Sequence, residues 1–522
     1  MTHGASDHTD VLVVGAGPVG LVLAADLLRQ GVTVRVVDGA SGDSPHSRAI
    51  VMWPRTLELL RRLDVPDRLV GRGLKLDAVS FYSDGRRLGA VDICRLPDTP
   101  YPFALTIPQT STEHVLREWF SELGGVVERP VRLTGLDNTA PRPVATLTHQ
   151  DGSVERVTAD WVVGADGARS VVREQLGIDF PAESGEILFA IGDAPVEGQV
   201  PNELVYAYRR DGALGVAPMA DGSFRIAFSV PRWDDGERPP RELFQRMVDR
   251  LAPHPGEVGE LRWSTVFRAQ RRTAATFRAG SCFLAGDAAH VFSAAGAQGM
   301  NTGIQDAVNL SWRLGGVIRG VLDPTVLDGY SAERRRAVER VSVNTQRQTE
   351  WGLLGTRTKI IARDALVRAA RRTGVLRRYG APLMSQTDVD YGPPRPFWRR
   401  GLRPGMRFPA FAGGGTAWPT ADPDTHTLLL WPGHRPDEDW AHHVAAIRAA
   451  AGTAVTVRDV SDVRSLGSVL GRRRVGVLVR PDGHVAALLD PIEPVSPARV
   501  LCQAGIRLDG PRSAARRVEV LS

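Results

Sequence analysis

The run Val11–Val14, Gly15-Ala16-Gly17-Pro18-Val19-Gly20 and the stretch from Leu21 to Asp38 constrain this chain more than any other segment. A short β-branched run meets glycines at Gly-x-Gly-x-x-Gly spacing. A helical pattern follows from Pro18 to about Arg29, Gly31 stops it, and Val32–Val37 resumes with strand composition. The sum is strand–turn–helix–strand, the size of one βαβ unit. Gly15 permits the tight turn, Gly17 lets a pyrophosphate approach the backbone, and Gly20 lets helix and strand pack closely. The helix that Pro18 opens presents partial positive charge at its N-terminus. Asp38 ends the second strand, where a ribose-binding carboxylate belongs. The pattern predicts dinucleotide binding and, alone, leaves both FAD and NAD(P) open.

At 522 residues the chain is long enough for about three domains. Val11–Val14 is too short for a signal-peptide core, and no stretch approaches the apolar length of a membrane span. Cys94, Cys282 and Cys502 lie far apart without metal-ligand spacing, which suits a reducing cytoplasm and predicts no metal site. Residues 187–230 hold apolar and alternating runs around turn signals and predict an antiparallel sheet able to wall a pocket. Arg225 and Pro218 are its candidate lining residues. A long helix is expected from about Thr302 to Arg319, further arginine-rich helix over 331–378, and an irregular linker over 388–424. Beyond the linker, Thr427–Trp431, Asp439–Ala451, Ala454–Val460 and a hairpin Val475–Val479/Val485–Leu489 predict a small α/β unit.

Two further motifs carry chemistry. Gly164-Ala165-Asp166-Gly167 follows an apolar strand and precedes Ser170 at a helix start, a pattern that an Asx turn with an N-cap would also explain. Phe283-Leu284-Ala285-Gly286-Asp287 is a strand ending in a carboxylate able to accept from ribitol or ribose hydroxyls. The loop Gly296-Ala297-Gln298-Gly299-Met300-Asn301 then offers backbone N–H groups to an electron-rich ring before opening a helix. Two glycine loops around a capped helix would explain the glycines but not Asp287 and Asn301 together.

In this order and at these separations, over roughly residues 10–345, the three motifs closely resemble the FAD-dependent aromatic hydroxylases of the para-hydroxybenzoate hydroxylase type. The resemblance implies an α/β and α+β fold: a Rossmann-like FAD-binding domain (1–180 and, with a helical region, 276–395) with an inserted antiparallel-sheet substrate domain (181–275). The Pro404–Pro409 and Leu478–Gly483 segments are similar to the thioredoxin-like C-terminal domain (396–522) of the phenol and polyketide hydroxylase branches. No CxxC occurs there, so thiol redox chemistry is not expected. The resemblance assigns the ADP half of FAD to Gly15, Gly17, Pro18, Gly20 and Asp38, and a shared FAD and NADPH role to Asp166. It gives Asp287 the ribitol, and Gly296, Gly299, Met300 and Asn301 the isoalloxazine. It also places Arg48 near the pyrophosphate and Gln109 on the flavin chain, with Glu113 and Arg117 further along the same helix, and Val131 as a backbone contact of adenine. This chain departs from the family where Ser293-Ala294-Ala295 lacks the usual proline and where Asp38-Gly39 replaces the commoner Glu-Arg.

The implied activity is NAD(P)H- and O₂-dependent hydroxylation of a small phenolic or polycyclic, polyketide-like substrate through a C4a-hydroperoxide, in secondary metabolism. NADPH, or NADH, acts as co-substrate without a second Rossmann fingerprint. Baeyer–Villiger insertion or another oxidative ring modification on the same scaffold is the alternative, as is a non-oxygenating flavin protein that sequesters a reactive intermediate. No residue is assigned as catalytic, and His290 is read as structural. No Ser/His/Asp triad or metal cluster is visible, nor the Trp-x-Trp-x-Ile-Pro of flavin halogenases. The net charge of +6 is uneven: −7 over 1–330, +8 over 331–395 and +5 over 396–522. With no nucleic-acid fold and no aromatic-interleaved basic stripe, nucleic acid and membrane are not expected partners, whereas a homodimer is compatible. The expected location is the cytoplasm.

Overall fold

The first sheet forms where β-branched runs can be buried on both faces. The computed structural model describes residues 8–42, 49–182, 187–198, 201–210, 212–234, 236–254, 256–292, 295–393, 401–409, 422–434, 438–490 and 496–508. His8–Val14 lies centrally, parallel to Val34–Val37 on one side and to Val154–Gly164 on the other, and Cys282–Leu284 pairs parallel beyond that. Val11, Leu12 and Val13 are fully buried, as expected of a parallel strand covered by helices. The Pro18–Arg29 helix packs against the sheet and against the Gly299–Ile318 helix, so the start and the late part of the chain build one core.

The second sheet runs Gly256–Val258, Ile187–Gly198, Ser223–Val230, Gly212–Pro218, Leu204–Arg209, Ala78–Ser83, Arg86–Asp92, with Trp263–Ala269 also pairing with Ile187–Gly198. It draws two strands from before residue 100, joined by the parallel pairing of Ala78–Ser83 with Leu204–Arg209. The Arg241–Leu251 helix covers one face through Phe244, Val248 and Leu251. The other face looks toward the Gly296 turn, sharing a core with Trp53 and Ala297.

Two helices, Asp328–Gly352 and Arg357–Arg372, occupy the expected helical stretch, with a break between them. A third sheet in the order Val455–Asp459, His426–Trp431, Val475–Val479, Val485–Leu489 carries the Trp440–Ala451 helix. Its hairpin has the bounds read from the sequence. Arg407 bridges to His484 and Asp390 to Met406, so part of the expected linker is built into the fold.

Candidate functional site

The Gly15 turn is held by contact as well as by conformation. Gly15 has φ +103°, and a Cβ there would lie 2.4 Å from the Ala165 carbonyl oxygen. A Cβ on Gly20 would lie 2.0 Å from the Gly15 carbonyl oxygen, whereas Gly17 faces open space. The Pro18–Arg29 helix has no side-chain N-cap, so its first N–H groups point at that space. Asp38 Oδ2 accepts from Ala16 N at 2.8 Å, Oδ1 accepts from Ala40 N at 2.8 Å, and Arg129 Nη2 lies 3.6 Å away. Gln109 opens a helix, accepting from Ala49 N (3.2 Å) and donating to Glu113 (2.8 Å). The Val131 N–H is engaged by the Asp38 carbonyl at 2.9 Å. Arg48 and Ala294 lie outside the described residues.

The second motif packs directly on the first, as the Gly15–Ala165 approach requires. Asp166 Oδ2 accepts from Val171 N (2.8 Å) and Val172 N (3.2 Å), while Ser170 caps the helix by accepting from Arg173 N at 3.0 Å. Asp166 Oδ1 is buried without a protein partner, and burial pushes this carboxyl above the usual range. The N-cap half of the motif is therefore structural, and the Asp166 carboxylate retains capacity for a ligand.

In the third motif Asp287 is exposed just past the Cys282–Leu284 strand. His290 is buried, with Nε2 at 2.5 Å from Asp306 Oδ2. Asp306 also accepts from Gly286 N (2.9 Å) and Arg334 Nε (2.6 Å). Burial would raise the Asp306 carboxyl, but His290 and Arg334 hold it below the ordinary carboxylate range. His290 thus belongs to a buried brace, in keeping with the structural reading. Gly296 (φ +77°) and Ala297 (φ +51°) are both left-handed. The Gly296 carbonyl accepts from Trp53 Nε1 (3.1 Å) and Gln298 Nε2 (2.9 Å), and its N–H faces the Tyr206 phenol oxygen. Burial pushes the Tyr206 phenol up to about 12.

Asn301 behaves differently from a side-chain contact to a ring. Its Oδ1 accepts from Trp53 N (2.8 Å) and Thr56 Oγ1 (2.7 Å), and its Nδ2 donates to Val51 O (2.8 Å) and Ala297 O (3.0 Å). The buried amide is fully used inside the protein. What remains for a ligand is backbone: the Gly299–Ile318 helix has no side-chain cap, and Gly299 faces open space. Met300 is half-buried at the core edge. Trp53, Tyr206, Asp306 and Arg334 were not singled out in the sequence. Asp306 alone carried a signal, as an acid in the middle of an otherwise buried helix.

The sheet face above this turn is aromatic. Cross-strand register places Leu204, Ala217, Arg225, Asp193 and Trp263 in one row, and Tyr206, Gly215, Ala227, Ile191 and Thr265 in the next. Phe189 stacks on Phe267 at 5.7 Å and Phe81 on Tyr206 at 5.9 Å. Arg225 is on this face but buried in an ion pair with Asp193, which also accepts from Trp263 Nε1 at 2.6 Å. Pro218 alternates to the opposite face, beside Phe224.

Two uncapped helix starts, glycines that leave no room for a Cβ, strand-end carboxylates and a partnerless Asp166 oxygen fit a flavin adenine dinucleotide. The class so defined is an FAD-binding flavoprotein. Residues 8–345 match the family described as FAD binding domain, and the chain belongs to that family. It is 39% identical over 353 residues to 6-methylpretetramide 4-monooxygenase of Streptomyces rimosus, covering 66% of this chain and 62% of that relative. It is 30% identical to an uncharacterized aromatic compound monooxygenase of Bacillus subtilis, over 93% of this chain and 95% of the relative. Among solved structures, OxyS anhydrotetracycline hydroxylase from Streptomyces rimosus is similar with a TM-score of 0.74 at 28% identity, covering 95% of this chain and 98% of that one. Among the described residues no helix is long and apolar enough to cross a membrane.

Proposed function

We propose that this chain is an NAD(P)H- and O₂-dependent monooxygenase that hydroxylates an electron-rich aromatic ring, of the phenolic or polycyclic polyketide kind, in the cytoplasm. The observation that carries the reading is the aromatic sheet face set opposite the Gly296–Asn301 turn, with Tyr206 touching both. FAD supplies the electron transfer from NAD(P)H and the activation of O₂. Gly15, Gly17, Pro18 and Gly20 cradle its pyrophosphate; Asp38 takes the adenosine ribose, Val131 the adenine and Asp287 the ribitol. Gln109 meets the flavin chain, and Asp166 serves the FAD and NAD(P)H side. Backbone at Gly296, Gly299, Met300 and Asn301 meets the ring.

The remaining work belongs to the chain's own side chains. Phe81, Phe189, Phe267 and Tyr206 stack on and orient a flat substrate and exclude water. The Arg225–Asp193 pair is already neutralised, so an apolar, uncharged polycycle suits this wall better than a carboxylate. In domain terms, residues 1–180 and 276–395 hold the cofactor, 181–275 the substrate together with the strands Ala78–Ser83 and Arg86–Asp92 that join its sheet, and 396–522 form the thioredoxin-like unit. The test is O₂ uptake by the purified flavoprotein with NADPH or NADH and a panel of phenols and anthraquinones, with product NMR. Substrate-stimulated uptake and a new C–OH support the reading. A ring-expanded ester would favour Baeyer–Villiger insertion, and no stimulation by any ligand would favour a sequestering protein.

A further inference from the structure

We propose that the Arg480–His484 turn of the C-terminal sheet is a positioning element for the flavin site, setting the Gly296 peptide through Asp482, Arg55 and Trp53. The turn follows the Val475–Val479 strand, and Gly483 N donates to Arg480 O at 2.8 Å. Arg480 and Asp482 form a buried ion pair. The Asp482 carbonyl accepts from Arg55 Nη2 at 2.7 Å. Its carboxylate accepts from Asn309 Nδ2 and Trp312 Nε1, both at 3.3 Å. One residue therefore grips two elements of the FAD-binding core: the Pro54–Leu60 helix through Arg55 and the Gly299–Ile318 helix through Asn309 and Trp312.

Those two elements are the ones that Asn301 and Trp53 join at the flavin end. Trp53, immediately before Pro54, gives its main-chain N–H to Asn301 and its indole N–H to the Gly296 carbonyl. The grip is reinforced on both sides. Arg480 reaches Glu333 at 2.6 Å, and Glu333 also holds Arg313 at 2.9 Å. Arg407 clasps Glu58 at 2.6 Å, one turn after Arg55 on the same helix. Arg55, Asp482 and His484 are all at or below 3% exposure, so no solvent screens the Arg55–Asp482 contact. Left-handed Ala297, next to Gly296, costs energy that surrounding contacts must hold in place, and the Trp53 contact to the Gly296 carbonyl is one of those. The C-terminal unit lacks a CxxC, and this contact gives it work that needs no redox chemistry.

The test uses Arg55→Met, Asp482→Asn and Trp53→Phe in the full chain. The matched control is Val477→Ala, a cavity in the core of the same C-terminal sheet, on the face opposite the one that packs on Trp312. Equilibrium FAD dissociation, read by flavin fluorescence, and the shape of the visible flavin band need no turnover. The expected result is FAD binding weaker by about tenfold and a shifted flavin band in all three variants, with Val477→Ala lowering Tm alone. Arg55→Met combined with Trp53→Phe should be no worse than the poorer single variant, because they act in series. Wild-type FAD affinity and band shape in Arg55→Met and Asp482→Asn, at whatever cost in Tm, would overturn the proposal, as would full additivity of the pair. If Arg55→Met fails to fold, Asp482→Asn and Trp53→Phe decide by the same readings.

Discussion

At the scale of single residues, the site rests on groups whose surroundings leave one option each. Gly20 has no room for a methyl group, with the Gly15 carbonyl oxygen 2.0 Å from where it would stand. Gly20→Ala is expected to abolish FAD retention on gel filtration, while Gly17→Ala, into open space, should fold and weaken binding by about tenfold. Asp287 is exposed, in the short turn Gly286–Ala288 that follows its strand. If it holds ribitol hydroxyls, Asp287→Ala should raise the FAD dissociation constant by roughly ten- to a hundredfold with little change in Tm. Asn301 is the opposite case. Its four hydrogen bonds are internal, so Asn301→Ala strands the Trp53 N–H and the Val51 carbonyl. The expected loss is roughly 3 kcal/mol of folding stability, read by denaturant titration.

At the scale of elements, local pattern and long-range packing divide the labour, and this decides what could be read from the sequence. The Pro18–Arg29 helix and the Val475–Val479/Val485–Leu489 hairpin were legible to the residue, because Pro18, Gly31 and Pro481-Asp482-Gly483 mark their ends locally. The pairing of Ala78–Ser83 with Leu204–Arg209 was not, since nothing local announces a strand partner more than a hundred residues away. The site divides in the same way. Asp38, Asp166 and Asp287 stand at strand ends that glycines mark, whereas Trp53 and Tyr206 look like ordinary core aromatics and matter only because the Gly296 turn lands on them. Elements joined by buried charge should also respond to pH. Burial lowers His426 to about 3 and His484 to about 4. Both are neutral in the fold and gain protons more readily when unfolded, so their contribution is complete above about pH 6.5 and is lost as pH falls below it. Tm should fall from pH 6.5 toward pH 4, and His426→Gln should flatten that slope. Glu333, held down to about 2 by Arg313 and Arg480 against the effect of its own burial, loses its contribution only below about pH 4.5.

At the scale of the whole molecule, the acidic stretch 1–330 and the basic C-terminal part are fastened by arginine–carboxylate contacts and by an apolar cluster that joins Trp312 and Leu322 to Leu428, Leu430 and Leu501. Arg407, Arg480 and Arg55 are part of the arginine excess that the composition shows, and their partners are carboxylates of this same chain. Removing one partner leaves the other charged and dry, so Glu333→Gln should cost roughly 3 kcal/mol, seen as a lower urea midpoint. The aromatic sheet face and the Gly296 turn are brought together from segments drawn from residues near 50, 80, 190–270 and 300. The proposed reaction places one atom of O₂ on an aromatic ring beside this wall. Turnover of the yellow, FAD-loaded protein under ¹⁸O₂ with NAD(P)H and a polycyclic phenol tests it most directly. The predicted result is a product carrying a single ¹⁸O on a ring carbon. A colourless protein that takes up no FAD, or NAD(P)H oxidation with no label in any product, would contradict it.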